Sequence, residues 1–267
     1  LSIGALYEGN LRVATASYAG EYAPGTIENG VLISDSRFKI YNVRAGDNQF
    51  NNPDYANWGL MVPYGAPYLD VDNNGAFDPA VDIPGIKDAG QTIFVCLTDA
   101  DPSNHTPSEG FGGGTAPLTA EVRLTAWAYN SPGLEKIQFI QWVTINKSDA
   151  VWNATHFSIC VDPDLGDSDD DYIGCDTTLN MGYCYNADNQ DGDGSGKTYG
   201  ANPPASGMDF FISPVVPTGN PLDTVVIYNP PGSNNKIVKR GFRELGLTSF
   251  VYFTNSTTPG PLCERDP

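Results

Sequence analysis

A chain of 267 residues with 40 % hydrophobic side chains can fold as one large β domain or two small ones, and is too apolar to be disordered. Its formal net charge of −18 excludes a nucleic-acid partner, because phosphate binding requires basic patches, and an anionic membrane surface would repel it. No apolar run approaches the roughly 18 residues that a membrane-spanning helix needs.

The 29 glycines and 21 prolines favour short strands joined by turns. Aspartate outnumbers glutamate about threefold, as loops and metal sites would have it and a solvated helix would not. The chain begins at Leu1, not Met, which reads as a mature exported chain whose leader has been removed. The alternative is a chain that has been trimmed.

In chain order, residues 10–18, 30–34 and 38–43 read as strands. Residues 48–65 form an ordered loop rich in Asn, Pro, Gly and aromatics. Tyr55, Trp58, Tyr64 and Tyr68 cluster around it, as a cap on one end of a core in preference to a sugar-stacking surface. The next stretch has the sharpest signature. Asp70, Asp72 and Asn74 fall at positions 1, 3 and 5 of an EF-hand-type loop, with Gly75 at position 6 where the chain turns sharply. Ala76 would offer its carbonyl and Asp78 stands at position 9. Position 12 is Val81, and the acid follows one residue later as Asp82. Prolines on both sides argue against flanking helices. The expectation is an EF-hand-like Ca²⁺ loop without EF-hand helices; the alternative is an Asx-rich turn.

Residues 92–97 read as a buried strand and 109–114 as a flexible loop. Residues 120–129, 137–146 and 154–161 look like consecutive antiparallel strands of one sandwich sheet. A second acidic stretch follows, with seven aspartates: Asp162, Asp164, Asp167, Asp169, Asp170, Asp171 and Asp176. Like charges so closely spaced repel one another unless a hard cation sits among them, so a second Ca²⁺ site is expected, the alternative being a solvated acidic loop. Asp191, Asp193 and Ser195 offer a looser Ca²⁺ loop, the alternative being a plain flexible one. The Gly196-Lys197-Thr198 that follows is not a phosphate-binding loop, because Asp191 stands where its leading glycine should be and residues 183–189 make a poor strand. Residues 208–212, 224–228 and 248–253 read as late strands.

Five cysteines lack metal-ligand spacing. In an exported chain, Cys175–Cys184 and Cys96–Cys160 are the expected disulfides, leaving Cys263 free or linked to another chain. Catalytic motifs are thin. His105 lies in a polar loop, His156 lies on a strand, and neither a nucleophile elbow nor a zinc-protease motif is present. The reading is therefore not an enzyme, with a glycoside hydrolase as the least favoured alternative. Asn104, Asn146, Asn153 and Asn255 are N-glycosylation sequons. Thr177 and Thr224 lie in short O-glycan patterns.

Three motifs carry a resemblance: residues 65–82, residues 161–167 with 171–179, and residues 247–253. Together they resemble the N-terminal region of large secreted proteins of Bacteroidota and related bacteria, often exported by type IX secretion. The resemblance spans about residues 37–253. It implies an extracellular or surface location and assigns no activity.

The sequence reading is an all-β protein: a single antiparallel β-sandwich over 1–267, jelly-roll or immunoglobulin-like, with long Ca²⁺-binding loops. An extended N-terminal segment, about residues 1–20, pairs with a neighbouring subunit. The expected role is a calcium-stabilised, disulfide-stapled, glycosylated extracellular structural protein, a self-assembling subunit of a filament, tube or surface layer that binds copies of itself. The alternative is a secreted adhesin or carbohydrate-binding module that takes glycans and uses Ca²⁺ structurally.

Overall fold

The computed structural model describes residues 1–16, 20–107, 112–192, 198–228 and 236–252. The protein is mostly β, with one short α-helix among the described residues. In place of the expected single domain, the chain divides into two compact units: residues 1–160 with 228–236, and residues 161–227 with 237–267.

The first unit contains β1 (Ser2–Tyr7), β2 (Asn10–Ala14), β3 (Ala23–Pro24), β4 (Thr26–Glu28), β5 (Val31–Ile33) and β6 (Tyr41–Arg44). Helix α1 (Pro53–Asn57) follows, then β7 (Tyr68–Leu69), β8 (Ile83–Pro84), β9 (Gln91–Thr98), β10 (Ala120–Ala128), β11 (Gln138–Asn146) and β12 (Trp152–Ser158). One sheet runs β11-β10-β9, with β3 and β6 both pairing on the far edge of β9. A second runs β12-β1-β2.

Alternation along β9 and β10 gives the first sheet two apolar faces. On one, Phe94 and Cys96 join Phe38, Tyr41, Val43, Trp58, Met61 and Ala66 in a buried cluster. Trp58 is fully buried and its Nε1 donates to the Pro67 carbonyl at 2.8 Å. Tyr55 and Tyr64 pack against the same cluster, so these aromatics cap a core. The expected loop at 48–65 is in fact α1 and two turns of 3₁₀ helix. Asn52 caps α1 by accepting from the backbone of Asp54 and Tyr55, and Pro53 supplies a preset first residue. On the other face, Ala120 and Val122 of β10 cluster with Ile3, Ala5, Ala14 and Leu118; Leu97, Trp142 and Trp152 pack around them.

Within this chain the N-terminal segment is already paired. β1 is the central strand of its sheet, with β2 on one edge and β12 on the other, and Ile3 is fully buried. Of the three strands expected to be consecutive in one sheet, β10 and β11 pair, whereas β12 crosses to β1.

The second unit contains β13 (Asp171–Asp176), β14 (Met181–Asn186), β15 (Gln190–Asp191), β16 (Gly200–Ala201), β17 (Ala205–Asp209), β18 (Val215–Pro217) and β19 (Thr224–Tyr228). Strands β20 (Lys236–Arg240) and β21 (Phe242–Glu244) follow. β13-β14-β17 form a three-stranded sheet, and β15-β16, β18-β21 and β19-β20 form two-stranded ones. β14 overlaps a stretch that reads as a poor strand, because its Tyr and Cys are stabilised by ladder partners on both sides. Residues 248–252 form no strand despite their β-prone side chains; no ladder partner faces them among the described residues.

Candidate metal centre

The 70–82 loop is closed at its base by the short ladder between β7 and β8, in which Leu69 faces Ile83. Continuing that register by one residue brings Asp70 opposite Asp82. The thirteenth position therefore closes the loop, while Val81 is exposed. The other anchor is Phe77, which packs against the Trp58 cluster and meets the Tyr68 ring edge-on at 5.2 Å. Gly59 lets the ring pack closely, because a Cβ on it would lie 3.1 Å from the Phe77 ring and push it aside by a few tenths of an ångström.

Backbone N–H groups aim the carboxylates. Asp70 accepts from Asn74 N at 3.1 Å and Gly75 N at 2.8 Å. Asp82, only 2 % exposed, accepts from Val71 N at 2.9 Å and Asp78 N at 2.7 Å. Asn73 and Gly75 adopt left-handed φ values of 56° and 79°, which bend the chain around these acceptors. The Gly75 N–H holds the Asp70 carboxyl below the usual carboxylate range. Burial, with Asp70 and Asp82 nearby, raises the Tyr68 hydroxyl.

One oxygen each from Asp70, Asp72 and Asp82 lie within 4.8 Å of one another. Two oxygens bound to one Ca²⁺ at about 2.4 Å can be no more than about 4.8 Å apart, so the spacing is one that a metal ion of this size could bridge. Asn74 and Asp78 lie in the same loop outside the converging triad. The Asn74 amide oxygen accepts from Ala76 N at 2.7 Å, and Asp78 Oδ1 accepts from Ala80 N at 2.9 Å. Ala76 has its backbone N–H in that turn.

The second acidic stretch behaves differently. Among the described residues, Asp70, Asp72 and Asp82 form the one group of three acids so close together, and none of the seven aspartates at 162–176 forms another. Asp171 accepts from Leu165 N at 2.8 Å, Asp167 from Asp169 N at 3.3 Å, and Asp170 from Gly192 N and Asn186 Nδ2, both at 2.8 Å. Asp176 accepts from the backbone N–H groups of Thr178 and Leu179 and from the Thr178 hydroxyl, which together hold its carboxyl low. Asp162, Asp164 and Asp169 lie on the exposed side of this segment. Donors spread along the segment meet several of these carboxylates one at a time, while Asp171 Oδ1 is buried without a hydrogen-bond partner. Asp191 is fully buried and accepts from the N–H groups of Asp167 and Tyr199. Gly166 must be glycine for this, since a Cβ would lie 2.0 Å from Asp191 Oδ2. Asp193 and Ser195 lie outside the described residues.

Cys96, Cys160, Cys175 and Cys184 are all free thiols, so neither expected disulfide is formed. Cys175 faces Gly182 while Cys184 faces Ile173. The two cysteines are thus diagonal across the ladder, about 7–8 Å apart, beyond the reach of a disulfide. Cys96 is buried in the core and Cys160 is exposed beyond β12. Cys263 and Asn255 lie outside the described residues. Of the other glycan positions, Asn146, Asn153, Thr177 and Thr224 are exposed, and Asn104 is half-buried at the end of a 3₁₀ turn.

Sequence reasoning missed two buried ionic clusters. His105 is not in a solvated polar loop: its side chain is 2 % exposed between two fully buried carboxylates. Its Nδ1 lies 3.3 Å from Glu21 Oε1, without the alignment of a hydrogen bond, and its Nε2 contacts the Asp99 carbonyl oxygen at 2.8 Å. Glu21 accepts from Thr15 N and Gly114 N; Asp99 accepts from Leu118 N and Ala120 N, each at 2.6 Å. These contacts make the cluster a structural clasp across three loop segments. The second cluster centres on Glu121, fully buried, with Arg123 Nε at 2.7 Å, Lys147 Nζ at 3.1 Å and the Thr26 hydroxyl as partners. The one available signal was acid within strongly apolar strand sequence, at Asp99 and Glu121. No protein family, curated protein or solved structure matches the chain.

Proposed function

We propose that the protein is an extracellular, calcium-stabilised structural β protein whose first unit is a sandwich and which assembles with copies of itself. The observation that carries this reading is the convergence of Asp70, Asp72 and Asp82 in a loop tied to the core by Phe77. Ca²⁺ there would neutralise three like charges and fix the loop on the Trp58 cluster. The buried cluster shared by the β12-β1-β2 sheet and β10 supports the sandwich. The long motifs at 65–82 and 161–179 support kinship with the N-terminal regions of secreted Bacteroidota proteins.

Assembly would use a strand edge, not the N-terminal segment. β12 pairs with β1 on one side and has no ladder partner on the other among the described residues. Seven residues long, with Phe157 exposed, it offers an open row of backbone donors and acceptors. The test is calorimetric Ca²⁺ titration, joined to negative-stain microscopy with and without chelator. Ca²⁺ binding and regular polymers are expected; a monomer that binds no Ca²⁺ overturns the reading, and a Ca²⁺-bound monomer that binds glycans moves it to the adhesin.

A further inference from the structure

The chain has two Asn-Gly pairs, Asn74-Gly75 and Asn29-Gly30. In such a pair the glycine nitrogen can attack the preceding side-chain amide, because no Cβ crowds the approach. The folded chain treats the two differently. At Asn74, three contacts match what that attack needs. Gly75 N–H donates to Asp70 Oδ2 at 2.8 Å, so the nucleophile's proton already points at a base. Ala76 N–H donates to Asn74 Oδ1 at 2.7 Å, which polarises the amide and would stabilise the oxyanion formed on attack. Asn74 Nδ2 donates to Asp72 Oδ2 at 2.8 Å, which gives the departing nitrogen a fixed direction. Both residues are exposed, so water enters and ammonia leaves freely.

Asn29-Gly30 forms the two-residue turn between β4 and β5, with φ values of 51° and 75°. Among the described residues, no group donates to the Asn29 side chain and no side chain accepts from Gly30 N–H.

We propose that the 70–82 loop modifies itself, by intramolecular deamidation of Asn74. Gly75 N bonds to Asn74 Cγ as its proton passes along the hydrogen bond to Asp70, and the exposed side-chain nitrogen takes up a proton from water as it leaves. The Cγ–Nδ2 bond breaks, ammonia leaves, and a five-membered imide remains. Water then opens the imide. Addition at Cγ, with cleavage of Cγ–N, yields aspartate and restores the chain; addition at the backbone carbonyl carbon yields isoaspartate. Net, one water enters and one ammonia leaves, with no oxidant or reductant. The aspartate product places a further carboxylate at the fifth loop position. That consequence rests on the metal reading; the chemistry does not.

The test is mass spectrometry of peptides from the intact protein, incubated in chelator, with acid at 74 compared with acid at 29. Asn74 is expected to convert about tenfold faster or more, a modest part of what positioned proton transfer contributes. The ratio should collapse in denaturant and in Asp70→Asn. Equal or slower conversion at Asn74 in the folded protein, or a ratio that survives denaturant, overturns the proposal. Ca²⁺ should slow conversion at Asn74 by engaging Asp70. Fast conversion unaffected by Ca²⁺ would uphold the self-modification and count against the metal reading.

Discussion

Two aspartate-rich segments of this chain have opposite architecture. In 70–82 a two-strand ladder brings the first and last acids face to face, and three carboxylates converge. In 162–191 the acids are more numerous, yet backbone N–H groups stabilise them separately, with Asp191 buried at the centre. Acid density alone therefore does not bring carboxylates together; the backbone register decides whether their oxygens converge on one point or spread along a line.

The contrast breaks most strongly at Asp191. Asp191→Ala removes two charge-assisted hydrogen bonds and empties a fully buried position, for a loss of about 4 kcal/mol. The loss should be local. All four tryptophans fall in the first unit, so their fluorescence melt should hardly move, while hydrogen exchange across 165–199 accelerates. A melt that shifts equally in both readouts would mean that the two units do not unfold separately.

Asp82→Ala is the matching change in the first unit. It deletes one of the three proposed ligands and frees the Val71 and Asp78 N–H groups, so on the proposed reading Ca²⁺ affinity should fall about 100-fold, or about 2.7 kcal/mol by calorimetry. The same change at Asp169, exposed and outside any converging group, should leave Ca²⁺ binding as it is. Chelation gives a smaller effect. At free Ca²⁺ ten times Kd, linkage contributes about 1.4 kcal/mol, which the tryptophan melt should lose on chelation while exchange across 165–199 stays constant. Ca²⁺ protection of 165–199 would show that the second segment binds the ion after all.

Much of this was legible in sequence. Asp70, Asp72 and Gly75 stand at the spacing of an EF-hand-type loop, and the alternating residues of β10 and β11 give those strands nearly to the residue. The closing role of Asp82 needed the β7–β8 register, which two-residue strands are too short to display in sequence. β1 was missed because its core face carries only Ile3 and Ala5. His105 was misplaced because its burial depends on Glu21 and Asp99, which are distant in sequence and meet only in the fold.

The weakest test compares the sign of pH dependence in the two units. Asp99 is buried, and desolvation raises its carboxyl above the usual value in spite of two backbone donors. A raised folded-state pKa contributes stability that is full below the unfolded carboxylate value, about 3.9, and is lost as pH rises through the raised one. Asp176 is the reverse. Held low by the Thr178 hydroxyl and the turn N–H groups, it contributes above the ordinary value and loses that contribution as pH falls through the depressed one. Mild acid should therefore slow exchange at the Leu118 and Ala120 amides, whereas stronger acid should speed exchange at Thr178 and Leu179. Asp99→Asn should flatten the first response and Asp176→Asn the second. If both amide pairs respond with the same sign, burial is not what governs Asp99.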